Sequence, residues 1–533
     1  MNIPINLLTW SMAFLPIIAL IILLVGLNMA ASKAAMIGLA ITLFTSFVIF
    51  KGNIKLVINE SLKGAWSAFI IILIVWSAIL LYQVGDKAQA FLVIRDKIGK
   101  IIPNELLVVL MFGWIFESFL QGITGFGVPV AVGAPILIGI GVLPVYAVII
   151  PLLGQSFGNT FGTLGAAWDS LAMSANLEMG SEIYLQTALW TGIYLLVWNL
   201  AVGFIISFLY GGKEAVKKGF VAILILSAIQ GVGQLILSQI STTLANFIPA
   251  LISFVALIFI SRLKIYREDW KLDSSKIMDR AASKSDQDID HKLSLGEAFM
   301  PYVILSLITL IVLTIKPINN ALGNVKLGFG FSETATGYGY VNPSVEKYSP
   351  LAIFTHASFF LVVSSLVGIF YYRSKNVIEK GEVGQILQKT NKMTLPSAIS
   401  ILGLVIMSNL MSGTGQTVVL ASGFAKVLGR FYLLISPFVG LIGTFMTGSN
   451  MSSNILFSQF QLKTAELLNV STAKVLAAQT TGASVGSAVS PSKIILGTTT
   501  ANILGKEGEI LKKLLVVTIP FTLLLGIMLL ITL

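Results

Sequence analysis

The sequence contains no cysteine and only two histidines among its 533 residues. The lack of cysteine excludes disulfides, thiolate metal sites and a cysteine nucleophile, and two histidines are too few for a histidine-rich metal site. Charged residues are also scarce, at 11% of the chain, against about 25% in average soluble domains. These shortages exclude a cytosolic enzyme, a secreted domain and a disordered protein, because such a chain would expose too much apolar surface to water.

What the chain has in abundance is apolar side chains, at 56% of residues, with a mean hydropathy of +0.89. This composition predicts a polytopic membrane protein. Backbone polar groups must be satisfied internally in lipid, so the fold class is predicted to be all-α. The net charge of +11 comes from basic residues in loops between apolar runs, where they set topology and do not indicate nucleic-acid binding.

A membrane-spanning helix needs about 20 mostly apolar residues. No basic stretch precedes the first apolar run, so it is predicted to be a span and not a cleaved signal. The predicted runs lie near 5–28, 34–50, 64–84, 103–120, 122–141, 143–166, 183–210, 220–240, 243–261, 297–315, 351–372, 395–412, 431–447, 448–468, 471–490 and 514–533.

The polar stretch 262–296 divides the chain. Residues 267–292 mix acidic and basic groups with almost no apolar content, which predicts a cytoplasmic linker without a packed core. The predicted domains are therefore a first transmembrane repeat with two linking spans (1–261), the linker (262–296) and a second transmembrane repeat (297–533).

The two halves share a pattern of glycines. Gly122 precedes the segment Gly154–Gly158 by about 32 residues, and Gly448 precedes Gly482–Gly486 by about 34. The partly charged interval 85–102 has a counterpart at 413–430. Each half holds an odd number of runs and an even number lies between them, so the second half enters the membrane from the opposite side. This predicts an inverted repeat with broken or re-entrant helices, as in many secondary transporters.

Loop charge gives a check on sidedness. Segments 211–219, 262–292 and 373–392 are rich in Lys and Arg and fall inside, whereas the acidic segment 169–182 falls outside. Segment 51–63 disagrees, because it carries three lysines and yet falls outside. Both termini are predicted to lie outside.

Glycine and proline are dense over residues 113–165. A helix broken near Gly122, Gly125 and Gly127 would expose N–H groups that attract an anion, which predicts a substrate carboxylate site within the membrane. The alternative is close helix packing through small residues.

A second polar region begins at Thr447, where six of eight residues are Ser, Thr or Asn. Such groups are costly at membrane depth unless they face a polar cavity or pair with one another. Hydroxyls and amides can hold both the carboxylate and the hydroxyl of a small hydroxy acid. The alternative is a loop at the membrane surface.

The pattern G-x-S-x-G occurs around both Ser156 and Ser484 and also marks a hydrolase nucleophile. A nucleophile needs an activating base, but His356 lies in another apolar run and His291 lies in the linker. The pattern therefore favours close backbone approach over catalysis.

Glu117 is an acid within a predicted span, one helical turn before Gln121, so both face the same way. Acids inside membranes are rare and often functional, which makes Glu117 a candidate proton carrier. The alternative is a structural carboxyl bonded to a neighbouring helix.

Three further residues have a functional and a structural interpretation. Asp169 beside Trp168 and His356 are candidates for proton coupling, but Asp169 is also typical of a charge near the membrane surface and His356 of a hydrogen-bonded structural residue. Lys493 is expected to extend to the inner face, with attraction of the anion as the alternative.

Three segments resemble the L-lactate permease family, secondary transporters of lactate, glycolate and similar 2-hydroxy monocarboxylates. The segments are GITGFGVPVA (122–131), TGSNMSSN (447–454) continuing to Phe457, and QTTGASVG (479–486) ending in Ser490-Pro491. The resemblance implies proton-coupled symport of a small monocarboxylate through the plasma membrane. The family commonly has an acid just before the first glycine, where this chain has Gln121, so either Glu117 takes that role or coupling differs.

The predicted partners are the monocarboxylate, protons and the lipid bilayer, with no cofactor and no nucleic acid; Na⁺ remains an alternative coupling ion. The substrate is expected where residues 122–131 and 154–163 meet 447–454 and 479–487, with alternating access around that site. The predicted substrate-binding residues are Gln121, Gly122, Thr124, Gly125, Phe126, Gly127, Ser156, Asn159, Thr160, Ser449, Asn450, Ser452, Ser453, Asn454, Gln479 and Ser484.

Two other classes of function compete with a transporter. A membrane-embedded enzyme acting on a lipid or polyprenol would need acidic metal ligands or a base near the membrane face, together with larger polar loops. A channel would need no acid within the membrane and could not accumulate substrate.

Overall fold

The computed structural model describes residues 3–27, 29–125, 127–280 and 292–532. In this part of the chain, ten helical stretches are long and apolar enough to cross a membrane, and two shorter apolar helices accompany them. The predicted all-α, multi-pass fold is confirmed.

The first half contains twelve α-helices among the described residues. Their bounds are α1 Leu7–Ile21, α2 Ala31–Val48, α3 Ile54–Lys87, α4 Ala90–Gly99, α5 Glu105–Leu110, α6 Phe116–Ile123, α7 Val128–Gly139, α8 Pro144–Ser156, α9 Gly162–Ser174, α10 Glu182–Ser227, α11 Gly233–Ser238 and α12 Phe247–Ile260. A π-helical turn, Met111–Ile115, joins α5 to α6. The backbone of α10 leaves helical geometry at Gly211 and Gly212, so α10 covers the predicted run 183–210 and the beginning of the run 220–240.

The second half follows the linker. Its helices are α13 Leu295–Thr314, α14 Lys316–Gly323, α15 Ala357–Ser374, α16 Glu382–Gly413, α17 Gln416–Leu428, α18 Tyr432–Thr447, α19 Asn450–Leu467, α20 Thr472–Gly486, α21 Pro491–Thr500 and α22 Glu507–Thr532. Helix α13 begins with a capping box, in which Ser294 and Glu297 bond to each other's backbone N–H.

The same order of elements occurs in both halves. A long helix (α3, α16) leads to a short one (α4, α17), and the span that follows is interrupted before α7 and α19. Helices α8 and α20 then end in 3₁₀ turns, Phe157–Asn159 and Ser487–Val489. Packing between the halves is reciprocal, since α7 contacts α21 and α9 contacts α19. Reciprocal packing is expected of two related halves, and their opposite orientation stays a prediction.

Residues 326–352 form two small antiparallel sheets, called the β cap below, which the sequence did not predict. The pairs are β1 Lys326–Phe331 with β4 Val345–Ala352, and β2 Thr334–Ala335 with β3 Val341–Asn342. Asn53 Nδ2 donates to Ala335 O at 3.0 Å and Trp66 Nε1 donates to Ser349 O at 3.1 Å. The β cap therefore lies on the same side of the bundle as the basic segment 51–63.

The first part of the predicted linker is folded against the helix ends. Leu143 N donates to Ile277 O and Asp279 N donates to Gly141 O, both at 2.7 Å, while Arg280 pairs with Glu105 at 2.5 Å. The expectation of a segment without packing is wrong for residues 262–280, because a few apolar side chains spaced among the charges, including buried Ile277, suffice to fill the grooves between the helices. His291 and residues 281–290 lie outside the described residues.

Candidate functional site

The glycine tracts interrupt the helices in both halves, as predicted. Between α6 and α7, Gly125 and Gly127 have φ of +60° and +85°, and between α18 and α19, Gly448 has φ of +80°. Only glycine adopts such angles without cost. Phe126, a predicted substrate-binding residue, lies outside the described residues.

A third interruption falls at the start of α9. Thr163, Leu164 and Gly165 have φ of 50°, 50° and 89°, and Trp168 N bonds back to Thr160 O at 3.0 Å. Positive φ is strained for a β-branched residue such as Thr163, and strain of this kind is concentrated at functional sites. Sequence reasoning found glycines here but not three consecutive left-handed residues.

Polar side chains from the two halves meet where these interruptions come together. Thr160 Oγ1 lies 3.0 Å from Thr480 Oγ1 and 2.8 Å from Ser484 Oγ. Asn450 Nδ2 donates to Thr160 Oγ1 at 3.1 Å and to Ser484 Oγ at 2.9 Å. The predicted meeting of 154–163 with 447–454 and 479–487 is thus a direct hydrogen-bonded contact.

Two further asparagines extend this contact. Asn159 Nδ2 donates to Ser487 Oγ at 2.7 Å, and Asn454 Nδ2 donates to Ala167 O and to Thr480 Oγ1, both at 2.9 Å. The bonds of Asn159 to Ser487 and of Asn454 to Ala167 join the first half to the second. The hydrogen bonds therefore hold the two halves in register at the centre of the molecule.

A cavity of about 30 Å³ lies beside this network. It is bounded by α6, α9, α19 and the start of α21, so both halves contribute to it. Its volume matches about one water molecule, so the cavity is too small for a monocarboxylate ion. The lining residues are Gln121, Asn159, Thr163, Ala166, Ala167, Gly448, Ser449, Asn450, Met451 and Lys493.

The cavity is suited to an anion. Ser449, Asn450 and Met451 begin α19, and no side chain caps that helix start. The first N–H groups of a helix have no partner within the helix, and its dipole favours negative charge there. Ala166 and Ala167 line the cavity just after the left-handed residues of α9, so a second helix start faces the same space.

Lys493 supplies the positive charge of the cavity. Its side chain is buried, with 4% exposure, and its ammonium donates to Asn159 Oδ1 at 3.3 Å. The expectation that Lys493 extends to the membrane face is therefore wrong, and the alternative interpretation fits the geometry. Pro491 starts α21, so Lys493 lies in the first turn of that helix.

Glu117 lies one turn before the cavity residue Gln121. It is fully buried, and neither carboxyl oxygen has a hydrogen-bond partner among the described residues. Its carboxyl contacts Gly133 of α7, where any side chain would collide with it. The structural alternative, a carboxyl bonded to a neighbouring helix, finds no support. An ionised carboxylate would lack any partner here, and protonation lowers the cost of its burial.

Several predicted substrate-binding residues do not line the cavity. Ser156 Oγ accepts from Trp198 Nε1 at 2.8 Å, and Gln479 Oε1 accepts from Gln461 Nε2 at 2.9 Å. Four others have local or packing contacts. Gly122 lies against Asn246 and Phe247, Thr124 donates to Leu120 O, Ser452 is buried in α19, and Ser453 donates to Gly440 O.

Two candidates for proton coupling lie outside the cavity lining. Asp169 is partly exposed on α9. His356 precedes α15 next to the β cap, and its Nδ1 lies 2.8 Å from Ser358 Oγ. Neither Ser156 nor Ser484 bonds to a histidine among the described residues, so the geometry of a hydrolase nucleophile is not formed there.

Comparison with known proteins finds relatives that are all named as lactate or glycolate permeases. The profile described as L-lactate permease matches residues 10–533. The L-lactate permease of Streptococcus iniae is 28% identical over 464 residues, covering 86% of this chain and 91% of the relative. In Escherichia coli K12, the L-lactate permease is 26% identical (97% and 94% covered) and the glycolate permease GlcA is 27% identical (97% and 97% covered).

Among solved structures, the Alcanivorax borkumensis YdaH transporter matches 87% of this chain and 84% of its own, with a TM-score of 0.44 and 12% identity. The profile match over nearly the whole length excludes the enzyme alternative, since this is a family of permeases. The chain is therefore a multi-pass membrane transport protein, and it belongs to the L-lactate permease family.

Proposed function

We propose that the protein is a symporter that carries L-lactate or a related small 2-hydroxy monocarboxylate, together with protons, across the plasma membrane. The observation that carries the proposal is the cavity between the two halves, where buried Lys493 and two helix starts surround one small space. The names of the relatives, lactate and glycolate permeases, support the same class of substrate.

The substrate carboxylate fits between the Lys493 ammonium and the starts of α9 and α19. Charge-assisted hydrogen bonds of this kind are about twice as strong as neutral ones. The 2-hydroxyl can bond to the polar wall formed by Gln121, Asn159 and Thr163. Ala166, Ala167 and Met451 provide an apolar wall for the lactate methyl group, which glycolate lacks.

Transport by alternating access requires this small cavity to widen. A space for about one water molecule cannot hold a lactate ion, so substrate entry must separate α9 from α19 and break bonds such as Asn450 to Thr160. Two oppositely oriented halves would allow this opening toward either side in turn. The reciprocal packing of α7 on α21 and α9 on α19 supports such a rearrangement.

Glu117 is the proposed proton carrier. It is fully buried, lacks hydrogen-bond partners among the described residues and lies one turn from the cavity. Asp169, partly exposed on α9, is the second candidate and would act at the entrance. Na⁺ stays the alternative coupling ion, because backbone carbonyls at broken helices can coordinate it.

Counterflow of labelled lactate in proteoliposomes tests the function. We expect transient accumulation of label against its gradient, and competition by unlabelled glycolate. A channel would give equilibration without an uphill phase. A protein that moves no monocarboxylate in either direction would contradict the proposal.

Competition with pyruvate tests the hydroxyl contact. Replacing the 2-hydroxyl by a keto oxygen removes the hydrogen that the polar wall can accept. We expect pyruvate to compete more weakly than lactate, and equal competition would remove the hydroxyl from recognition.

A further inference from the structure

The cavity between the two halves has a small apolar part. Of its ten described lining residues, seven are polar, charged or glycine, and the other three are Ala166, Ala167 and Met451. A substrate whose carboxylate and 2-hydroxyl bond to the polar residues leaves the remaining substituent of its 2-carbon for this apolar part. The space between these three side chains therefore decides which 2-hydroxy acids fit.

Met451 belongs to the first turn of α19 and is directed toward α9. Asn454 lies one turn later on the same helix, and its Nδ2 donates to Ala167 O at 2.9 Å. Residues three apart on a helix share a face, so Met451 faces the start of α9, where Thr163 and Ala166 line the cavity. The Met451 side chain is 3% exposed, so protein encloses it.

The two sides of this apolar part differ in how they can change shape. Ala166 and Ala167 have no side-chain torsion, so their side changes only when the backbone moves. Methionine is unbranched, has several rotatable bonds and fills irregular gaps in protein interiors. Met451 can therefore adjust to the substituent on the 2-carbon while the backbone stays in place.

The movement of Met451 is limited by its surroundings. One turn later on α19, Ile455 O accepts from Ser408 Oγ at 2.7 Å, which joins this part of α19 to α16. Met451 itself belongs to the main apolar core of the protein. Protein interiors are close-packed, and side chains that exceed the available space force costly shifts of their neighbours. Rotation of Met451 therefore enlarges the cavity by a small amount only.

We propose that Met451 is a specificity-determining residue, which sets the largest group that the carrier accepts on the 2-carbon of its substrate. The inference rests on the proposed function and adds its size limit. Hydrogen, as in glycolate, and methyl, as in lactate, fit between Met451 and Ala166 after a change in the methionine conformation. An ethyl group or a longer chain meets the packed core and is rejected.

The first test compares substrates in the wild-type protein. Uptake of labelled glycolate into proteoliposomes is measured with unlabelled L-lactate or L-2-hydroxybutyrate as competitor. A methylene that a pocket cannot accommodate lowers recognition by about 10- to 200-fold. We therefore expect L-2-hydroxybutyrate to compete at least about tenfold more weakly than L-lactate. Equal competition by the two acids would overturn the size limit.

Met451→Ala widens the apolar part in the second test. The shorter side chain leaves room for the ethyl group, so the disadvantage of L-2-hydroxybutyrate relative to L-lactate should fall by at least about tenfold. Met451→Leu keeps the volume of the side chain and should retain most of the disadvantage. Met446→Ala, at a buried methionine of α18 outside the cavity lining, is the matched control. An unchanged size preference in Met451→Ala would overturn the proposal.

Ala166→Val narrows the cavity from the opposite side and gives an independent result. The added methyl groups occupy the space of the lactate methyl, so recognition of lactate should fall about tenfold more than recognition of glycolate. Competition binding to the purified protein measures the same ratio without a complete transport cycle. Equal losses for the two acids would contradict the placement of the substituent between Ala166 and Met451.

These outcomes separate the size limit from the proposed function. Wild-type protein that takes up neither glycolate nor lactate would overturn the proposed function. Protein that takes up both acids, with a size preference that depends on neither Met451 nor Ala166, would overturn the size limit alone.

Discussion

The two interrupted regions have the same order of elements but differ in how their polar groups are satisfied. In the second half, Ser453, Gln461 and Gln479 form a chain of hydrogen bonds, with Gln461 Nε2 to Gln479 Oε1 at 2.9 Å and Gln479 Nε2 to Ser453 Oγ at 3.2 Å. In the first half, Glu117 has no partner among the described residues, and Thr163 and Leu164 have left-handed backbone conformations.

This difference suggests that the two halves have different roles in transport. Buried polar groups that are fully paired hold a single arrangement, because breaking any bond leaves an unsatisfied atom. An acid without hydrogen-bond partners and a strained backbone can move or change protonation at a lower cost in free energy, because no hydrogen bond has to be broken. We therefore propose that the second half, which carries Lys493, is the more rigid of the two and that Glu117 in the first half is the group that changes its charge.

The largest expected effect comes from the glycines that form the two breaks. Gly127→Leu combines positive φ with a collision against Leu496, and Gly448→Leu combines it with a collision against Ser492. We expect each to lower lactate uptake by about 100-fold, as misplaced groups do in other sites, without blocking membrane insertion. Uptake assays and quantification of inserted protein check this.

Gly384→Leu is the control, because no atom lies near a side chain at that position. If Gly448→Leu abolished uptake while Gly127→Leu transported normally, the backbone of the first break would be ordinary packing. The comparison of two functional breaks would then fail.

A smaller and more selective effect is expected from Gly133→Ala, because the new methyl group collides with the Glu117 carboxyl. We expect proton-driven uptake to fall about tenfold while exchange falls less, since proton transfer is disturbed more than substrate binding. The ratio of uphill uptake to exchange is the measurement, with Gly384→Ala as control. Equal losses in both assays would assign Gly133 a packing role only.

Thr160→Val tests the network between the halves. Valine keeps the shape of threonine but leaves Asn450 and Ser484 without one partner, which should destabilise the protein by about 1–3 kcal/mol. Thr42→Val is the matched control, because its hydroxyl donates to Gly38 O within the same helix. Tryptophan fluorescence melts should show the larger decrease in Tm for Thr160→Val, and equal decreases would argue against a special role for the network.

The smallest effect is expected for Ser156→Ala. It removes the acceptor of the Trp198 indole, a loss of about 1 kcal/mol in stability, and should leave lactate affinity unchanged because Ser156 does not line the cavity. Loss of affinity with an unchanged Tm would restore Ser156 to the substrate-binding set.

The main features of the fold could be predicted from residue patterns. Long apolar runs require helices in lipid, and glycine-rich tracts near Gly127 and Gly448 predict breaks because local backbone chemistry decides both. The β cap over residues 326–352 was missed, since its short strands are held partly by contacts with α3, such as Trp66 to Ser349. The packing of 262–280 was missed for the same reason.

The candidate site was predicted only in outline. Gln121, Asn159, Ser449 and Asn450 were expected and do line the cavity. Periodicity could not separate them from Ser156 and Gln479, whose partners, Trp198 and Gln461, come from other turns and helices. The orientation of a polar side chain depends on which neighbouring helix offers a partner, and that information is not local.

The sequence by itself determined that this chain crosses a membrane many times, that its helices break at paired glycine tracts and that it resembles L-lactate permeases. These properties follow from hydropathy, from backbone conformational preference and from motifs along one segment at a time. Only the tertiary structure decided that Lys493 lies in the cavity, that Glu117 is left unpartnered against Gly133 and that Thr160 joins the two halves. Each of these facts depends on contacts between segments far apart in the chain, and packing alone fixes such contacts.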